Sequence, residues 1–260
     1  MKITDSSIIQ LQLRLLYGLT VFLCLFMIIW ILIFPANVFI GRSQSHEERV
    51  QPWLDPPQAI HKEAYTKYVD HPLVQVTHIL PSVLWSALIP LQLHNGFRKA
   101  NLKWHKLAGY TFFACVGLVA FGLLLIFQRD LTFEKTFEDL PDPALIPTTI
   151  TIPMLGVYYV FSAACAWYWI AGSSQQSFRR HQRWMIRHVA SGIWVALQRI
   201  LMLTVYTLMF PIPVSRYNQK RIFGDAGVIG VLIAFALGEY AVYLLDRAHL
   251  EKTAPQRKVA

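Results

Sequence analysis

The chain has 260 residues, of which 55% are hydrophobic and only 15% charged, with a mean hydropathy of +0.39. A soluble domain carries about a quarter of its residues as charges, so this composition excludes an ordinary water-soluble globule and points to a membrane protein. Cys24, Cys115 and Cys165 all lie in apolar runs without a CxxC spacing, which excludes a disulfide or zinc framework and reads as small buried side chains.

The first apolar run, LLYGLTVFLCLFMIIWILIF (15–34), is twenty residues without a charge, long enough to cross the hydrocarbon core. No small-residue cleavage site follows, so it is expected to be a retained span. Residues 35–73 then form an expected extracytoplasmic loop, which carries QPWLDPPQ and a possible short helix near HKEAYTKYV. Further runs lie at about 74–93, 107–127, 150–170, 185–210 and 228–245. The segment 129–147 between the third and fourth runs is acidic and proline-punctuated (FEDLPDPALIP). It reads as a solvated connector or a lid over an outward cavity. The predicted fold class is all-α: a six-transmembrane helix bundle forming one membrane domain over 1–260, with no internal repeat.

Charge placement sets the expected orientation. With the N-terminus on one side, that side collects 14 basic residues, including Arg14, Arg98, Lys99, Lys103, Lys106, Arg179, Arg180, Arg183, Arg187 and Arg247, against 3 acidic ones. The other side has 9 basic and 11 acidic residues. The positive-inside rule makes the first side cytoplasmic, with both termini there. The net charge of +9 is then a matter of topology and not of nucleic-acid binding. The expected location is a bacterial inner (plasma) membrane, with the lipid bilayer as the principal partner.

Polar residues at membrane depth are costly and usually face the bundle interior. In the second run, His78, Ser82, Trp85, Ile89 and Gln92 fall on one helical face, while Pro81 and Pro90 each remove a backbone donor and predict a kink beside a cavity. His105 opens the third run. In the fifth, His181, Met185, His188, Gly192, Val195 and Arg199 share one stripe, which should face the core. Glu239 lies in the sixth. Neutral histidines converging from different helices are how membrane bundles hold haem iron. Gly192, one turn from His188, would leave room for a flat macrocycle, and a core arginine could pair with a propionate or a quinone oxygen.

The expected cofactor is one haem b near the cytoplasmic face, ligated by His105 with His181 or His188, serving membrane electron transfer with a quinone or a redox partner. His78 and Arg199 complete the candidate cofactor-binding set. Two alternatives use the same residues. One is a zinc hydrolase with His105, His181 and His188 as ligands and Glu239 as base. The other is a non-catalytic protein in which arginines hold a lipid or small anionic molecule. The structural alternative for each histidine is a hydrogen bond to a carbonyl or a lipid phosphate, and His94 favours that reading.

Two blocks, VTHILPSVLWSALIPLQLHNGFRKANLKWHKLAGYTF and RRHQRWMIRHVASGIWVALQR, resemble a family of predicted multi-pass membrane proteins, domain of unknown function 2306 (DUF2306). The shared pattern falls on His78, Pro90, Gln92, Arg98, His105, Gly109, His181, Trp184, Met185, Arg187 and Arg199, and covers about Val74 to Ile200. Lys106 stands where the pattern has Arg, and His188 lies outside it. The resemblance implies a membrane protein but no activity. In layout the chain is also similar to b-type cytochromes of the cytochrome b561 and ferric-reductase kind. It departs from them in having no histidine in its fourth run and only His78 near the outer side, which implies one haem site and not two.

Reporter fusions after Lys106 and after Arg187 should give a cytoplasmic signal, and a fusion near Asp142 an extracytoplasmic one. A cytoplasmic signal at Asp142 would overturn the orientation.

Overall fold

In hydrocarbon every backbone N–H and C=O must be satisfied internally, so long apolar runs close into helices. The computed structural model describes residues 5–34, 67–68, 70–132, 146–170, 174–209, 212 and 214–253. Among these the fold is all-helical, without a strand. Six helices are long and apolar enough to cross a membrane, as expected of an integral multi-pass membrane protein. They are α1 (Asp5–Ile33), α2 (Pro72–Leu93), α4 (Leu102–Gln128), α5 (Thr148–Ile170), α6 (Gln175–Met209) and α7 (Arg216–Thr253), and a short helix α3 (Asn95–Ala100) joins α2 to α4. Most of the two long segments between runs, including QPWLDPPQ with its short-helix reading and FEDLPDPALIP with its lid reading, lies outside the described residues.

The helices outrun the apolar windows. At about 1.5 Å per residue, the 35 residues of α6 span about 52 Å, well beyond a hydrocarbon core of about 30 Å. Hydropathy marks only the lipid-embedded part, whereas helical hydrogen bonding continues into the polar zone. Arg179, Arg180, Arg183 and Arg187 therefore sit on the first turns of α6 and not in a loop.

Half of the central window of α2 is buried, and 44% of that of α6, more than in any other span. These two helices are the centre of the bundle. Helix α6 packs along α5 and α7, α2 packs along α4 and α1, and α1 also touches α6 and α7. The core between them is apolar and aromatic, with Ile89, Phe112 and Ala166 fully buried among Trp85, Tyr159, Met185 and Ile193.

Helix α2 departs from regular geometry where its prolines predict. Gln75–Ile79 forms a π-helical turn immediately before Pro81, which has no N–H to donate to the carbonyl four residues back. Widening the helix by one residue per turn absorbs that defect, and such π turns concentrate at functional sites. Local hydroxyls take up carbonyls nearby: Thr77 Oγ1 donates to Leu73 O at 2.6 Å and Ser82 Oγ to His78 O at 2.5 Å. Near the other proline, Tyr17 Oη donates to Pro90 O at 3.2 Å. That carbonyl lies in the last turn of α2, where intrahelical donors run out. His94 caps α3, its Nδ1 accepting from Phe97 N at 2.9 Å.

The π turn lies hard against α4. A Cβ placed on Gly122 would stand 2.6 Å from His78 Cβ and 2.8 Å from His78 N, so only glycine allows this approach. Gly122→Val should lower the unfolding free energy by about 1–3 kcal/mol, the usual range for overpacking. Thermal unfolding in detergent would show the change, and an unaltered midpoint would refute the close contact.

Candidate functional site

The polar stripe of α6 faces the bundle, and its two histidines each meet a definite partner. His188 is wholly buried. Trp85 Nε1 on α2 donates to His188 Nε2 at 3.2 Å. Indole N–H can only donate, so this nitrogen must carry the lone pair. The proton then sits on Nδ1, which lies 3.1 Å from Tyr159 O and 3.2 Å from Ser162 Oγ on α5. The Ser162 hydroxyl itself donates to Tyr159 O at 3.0 Å.

The same contact recurs two turns away. His181 Nδ1 donates to Ala166 O at 2.8 Å. His181 and His188 are seven residues apart on α6, as are Tyr159 and Ala166 on antiparallel α5. The two helices are thus held in register by identical imidazole-to-carbonyl bonds. His78 repeats the chemistry between α2 and α4, its Nδ1 donating to Val119 O at 3.0 Å. A backbone carbonyl only accepts, so all three rings carry their proton on Nδ1. The fourth run lacks a histidine, as the sequence shows, yet it supplies the carbonyls that orient two of them.

This arrangement gives His188, Gly192 and Glu239 contacts other than those expected of them. His188 does not fit as an axial haem ligand or a zinc ligand, because both its nitrogens are engaged and its ring is enclosed by Trp85, Phe112 and Tyr159 at centroid distances of 4.5–5.9 Å. Gly192 leaves room not for a macrocycle but for an indole: a Cβ there would lie 2.5 Å from Trp85 Cη2. Glu239 is exposed at the bundle surface and takes Arg187 Nε and Nη2 at 2.6 and 2.8 Å, so it faces neither Arg199 nor the histidines. Among the described residues no three His, Cys, Asp or Glu side chains gather as a metal site. His105 lies within electrostatic reach of His181, and both lie within reach of Arg98, at the basic end of the bundle. Gln92 Nε2 donates to His105 O at 3.1 Å, and His105 Nδ1 is buried without a hydrogen-bond partner.

The other end of the bundle holds a cavity of about 280 Å³. Its floor is Trp85 and Gly192, the indole being the one bonded to His188. Its apolar wall includes Met27, Ile79 and Leu155, and its polar lining includes His78, Ser82, Gln198 and Arg199. Lys67, Tyr68 and Thr132 lie at its loop-side margin. Gln198 is tied down, its Nε2 donating to Phe223 O at 2.9 Å. Arg199 is not. Its guanidinium carbon stands 5.5 Å from the Trp30 ring centroid and 5.0 Å from that of Phe223. Nη1 meets only Met202 Sδ at 3.6 Å, and Nε is buried with no partner. No carboxylate pairs with it among the described residues. Burial pushes the Tyr68 hydroxyl up to about 12 even beside Arg199, so this neighbour is neutral and supplies no counter-charge.

Matched against family models, curated proteins and solved structures, the chain finds no counterpart in any of the three. The likeness to DUF2306 and to b-type cytochromes thus rests on the motif residues and layout alone.

The sequence pattern found His78, Trp85, His181, His188 and Arg199 but missed Tyr159, Ser162, Trp30, Tyr68 and Phe223. Ser162 was visible as the head of the small-residue run SAACA. The aromatic partners of Arg199 come from α1, the α2 approach and α7, and no local pattern joins them. Trp85→Phe would leave His188 Nε2 buried and unpaired, at a cost of about 1–3 kcal/mol. Its thermal midpoint in detergent should fall, and a midpoint equal to wild type would show that the bond contributes nothing.

Proposed function

We propose that this chain is a membrane protein that binds a small anionic molecule or lipid head in the cavity at the end opposite its basic cluster, with Arg199 as the anchoring charge. The observation that carries this reading is the state of Arg199. A guanidinium buried at membrane depth is expensive and is normally paired. Two aromatic faces offset part of the cost, on the order of 2 kcal/mol per cation–π contact when desolvated, and Nε stays buried without a hydrogen-bond partner among the described residues. A cavity bordered by such a group, with otherwise apolar walls and a few placed polar side chains, is the usual form of a ligand site. The orientation inferred from the basic residues opens this cavity toward the extracytoplasmic side.

The haem b and electron-transfer reading is supported only by His105 and His181 at the basic end. Absorption separates the two readings. A Soret band in the purified chain, lost in His105→Ala and His181→Ala, would establish haem there.

For the anion site, mass spectrometry of the detergent-solubilised full chain should find a small anionic amphiphile retained by the wild type and at least tenfold less of it on Arg199→Gln. Equal retention on both proteins would defeat the proposal. With ligand removed, Arg199→Gln should be no less stable than wild type, because an uncompensated buried charge has been deleted.

A further inference from the structure

The same chain shows how its arginines grip a carboxylate. Arg187 presents the Nε–Nη2 edge of its guanidinium to both oxygens of Glu239, at 2.6 and 2.8 Å. Arg183 turns the same edge to Asp246, with Nε at 3.0 Å and Nη2 at 2.5 Å from one oxygen. Arg199 also has this edge, but no acceptor among the described residues occupies it. Nη1, on the other side, is the nitrogen that touches Met202. Nε is buried and unpartnered, and the side chain borders the cavity.

Resting on the anion-site reading above, we propose that the ligand class is a monocarboxylate with a short apolar body, its two oxygens docked on the Nε–Nη2 edge of Arg199. Three features select this class. The edge offers two parallel donors, which suit a planar two-oxygen acceptor and leave one donor unmet by a single carbonyl such as a quinone oxygen. Among the described lining residues Arg199 is the deep cation and Lys67 stands only at the loop-side margin, so one negative charge is balanced at depth, whereas a dianionic phosphate would carry an uncompensated charge into an aromatic surround. The volume of about 280 Å³ falls just below the usual range for drug-sized ligands, about 300–1,000 Å³. The wall formed by Met27, Ile79 and Leu155 suits an alkyl or aryl body and not a polar one.

Calorimetric titration of the full chain in detergent with hexanoate, hexanamide and hexyl phosphate tests the class. Hexanoate should bind at least tenfold more tightly than hexanamide, since the two share a body and differ in the charged two-oxygen head. Arg199→Gln should erase that preference. Arg199→Lys keeps the charge without the edge and should fall between the two. If Arg199→Gln fails to fold, the wild-type ratio of hexanoate to hexanamide still decides. Equal affinities for these two, or a tenfold preference for hexyl phosphate that depends on Arg199, would overturn the carboxylate class, and the second result would leave the anion site standing. Wild-type binding of all three probes that Arg199→Gln leaves unchanged would overturn both.

Discussion

The bond from Trp85 to His188 is the contact on which the centre of the bundle depends. It joins the two most enclosed helices, α2 and α6. It also dictates the chemistry around it, because an indole can only donate and so fixes the imidazole tautomer. The proton that results on Nδ1 is then available for α5, where Tyr159 O and Ser162 receive it. A single donor on α2 thus organises three helices. The approach is possible because α6 has glycine at 192, against which the indole lies. In a low-dielectric core a polar network of this kind is stabilising only when complete, and every nitrogen of this one has a partner.

Histidines therefore work here mainly as links between helices. His78, His181 and His188 each donate from Nδ1 to a carbonyl of a neighbouring helix. In lipid there is little hydrophobic drive for helix association, and such side-chain bonds with close small-residue packing take its place. A histidine oriented by a carbonyl through Nδ1 is also how metal-binding imidazoles are held. What separates a ligand from a link is therefore the fate of Nε2, and at His188 that nitrogen already belongs to Trp85.

Arg199 stands apart from the arginines of α6 that pair across helices. Arg183 and Arg187 reach carboxylates on α7 at the bundle surface, where water and headgroups would in any case solvate them and the pairs contribute little to stability. Arg199 is half-buried on its helix with Nε enclosed, and it is met by aromatic rings. A group that costs stability and joins no ion pair among the described residues is the one that the proposed ligand would complement. The Trp85 indole lines the same cavity, so the proposed ligand site and the structural bond share one side chain.

The sequence by itself determined the six spans, the inward stripe of α6 and the face of α2 that bears His78 and Trp85. Each follows from a local periodicity or a run of apolar residues, which a helix reproduces faithfully. It also located the break in α2, because a proline lacks a donor in every context. Tertiary structure alone decided what those residues do. Whether Gly192 admits a macrocycle or an indole depends on which side chain of α2 arrives opposite it, and Glu239 looked like a core base until the rotation of α7 placed it outside with Arg187. Imidazole, guanidinium and carboxylate each have several possible partners, and the choice among them rests on distances of a few tenths of an ångström between helices far apart in the chain. Helical spacing carries no information about those distances.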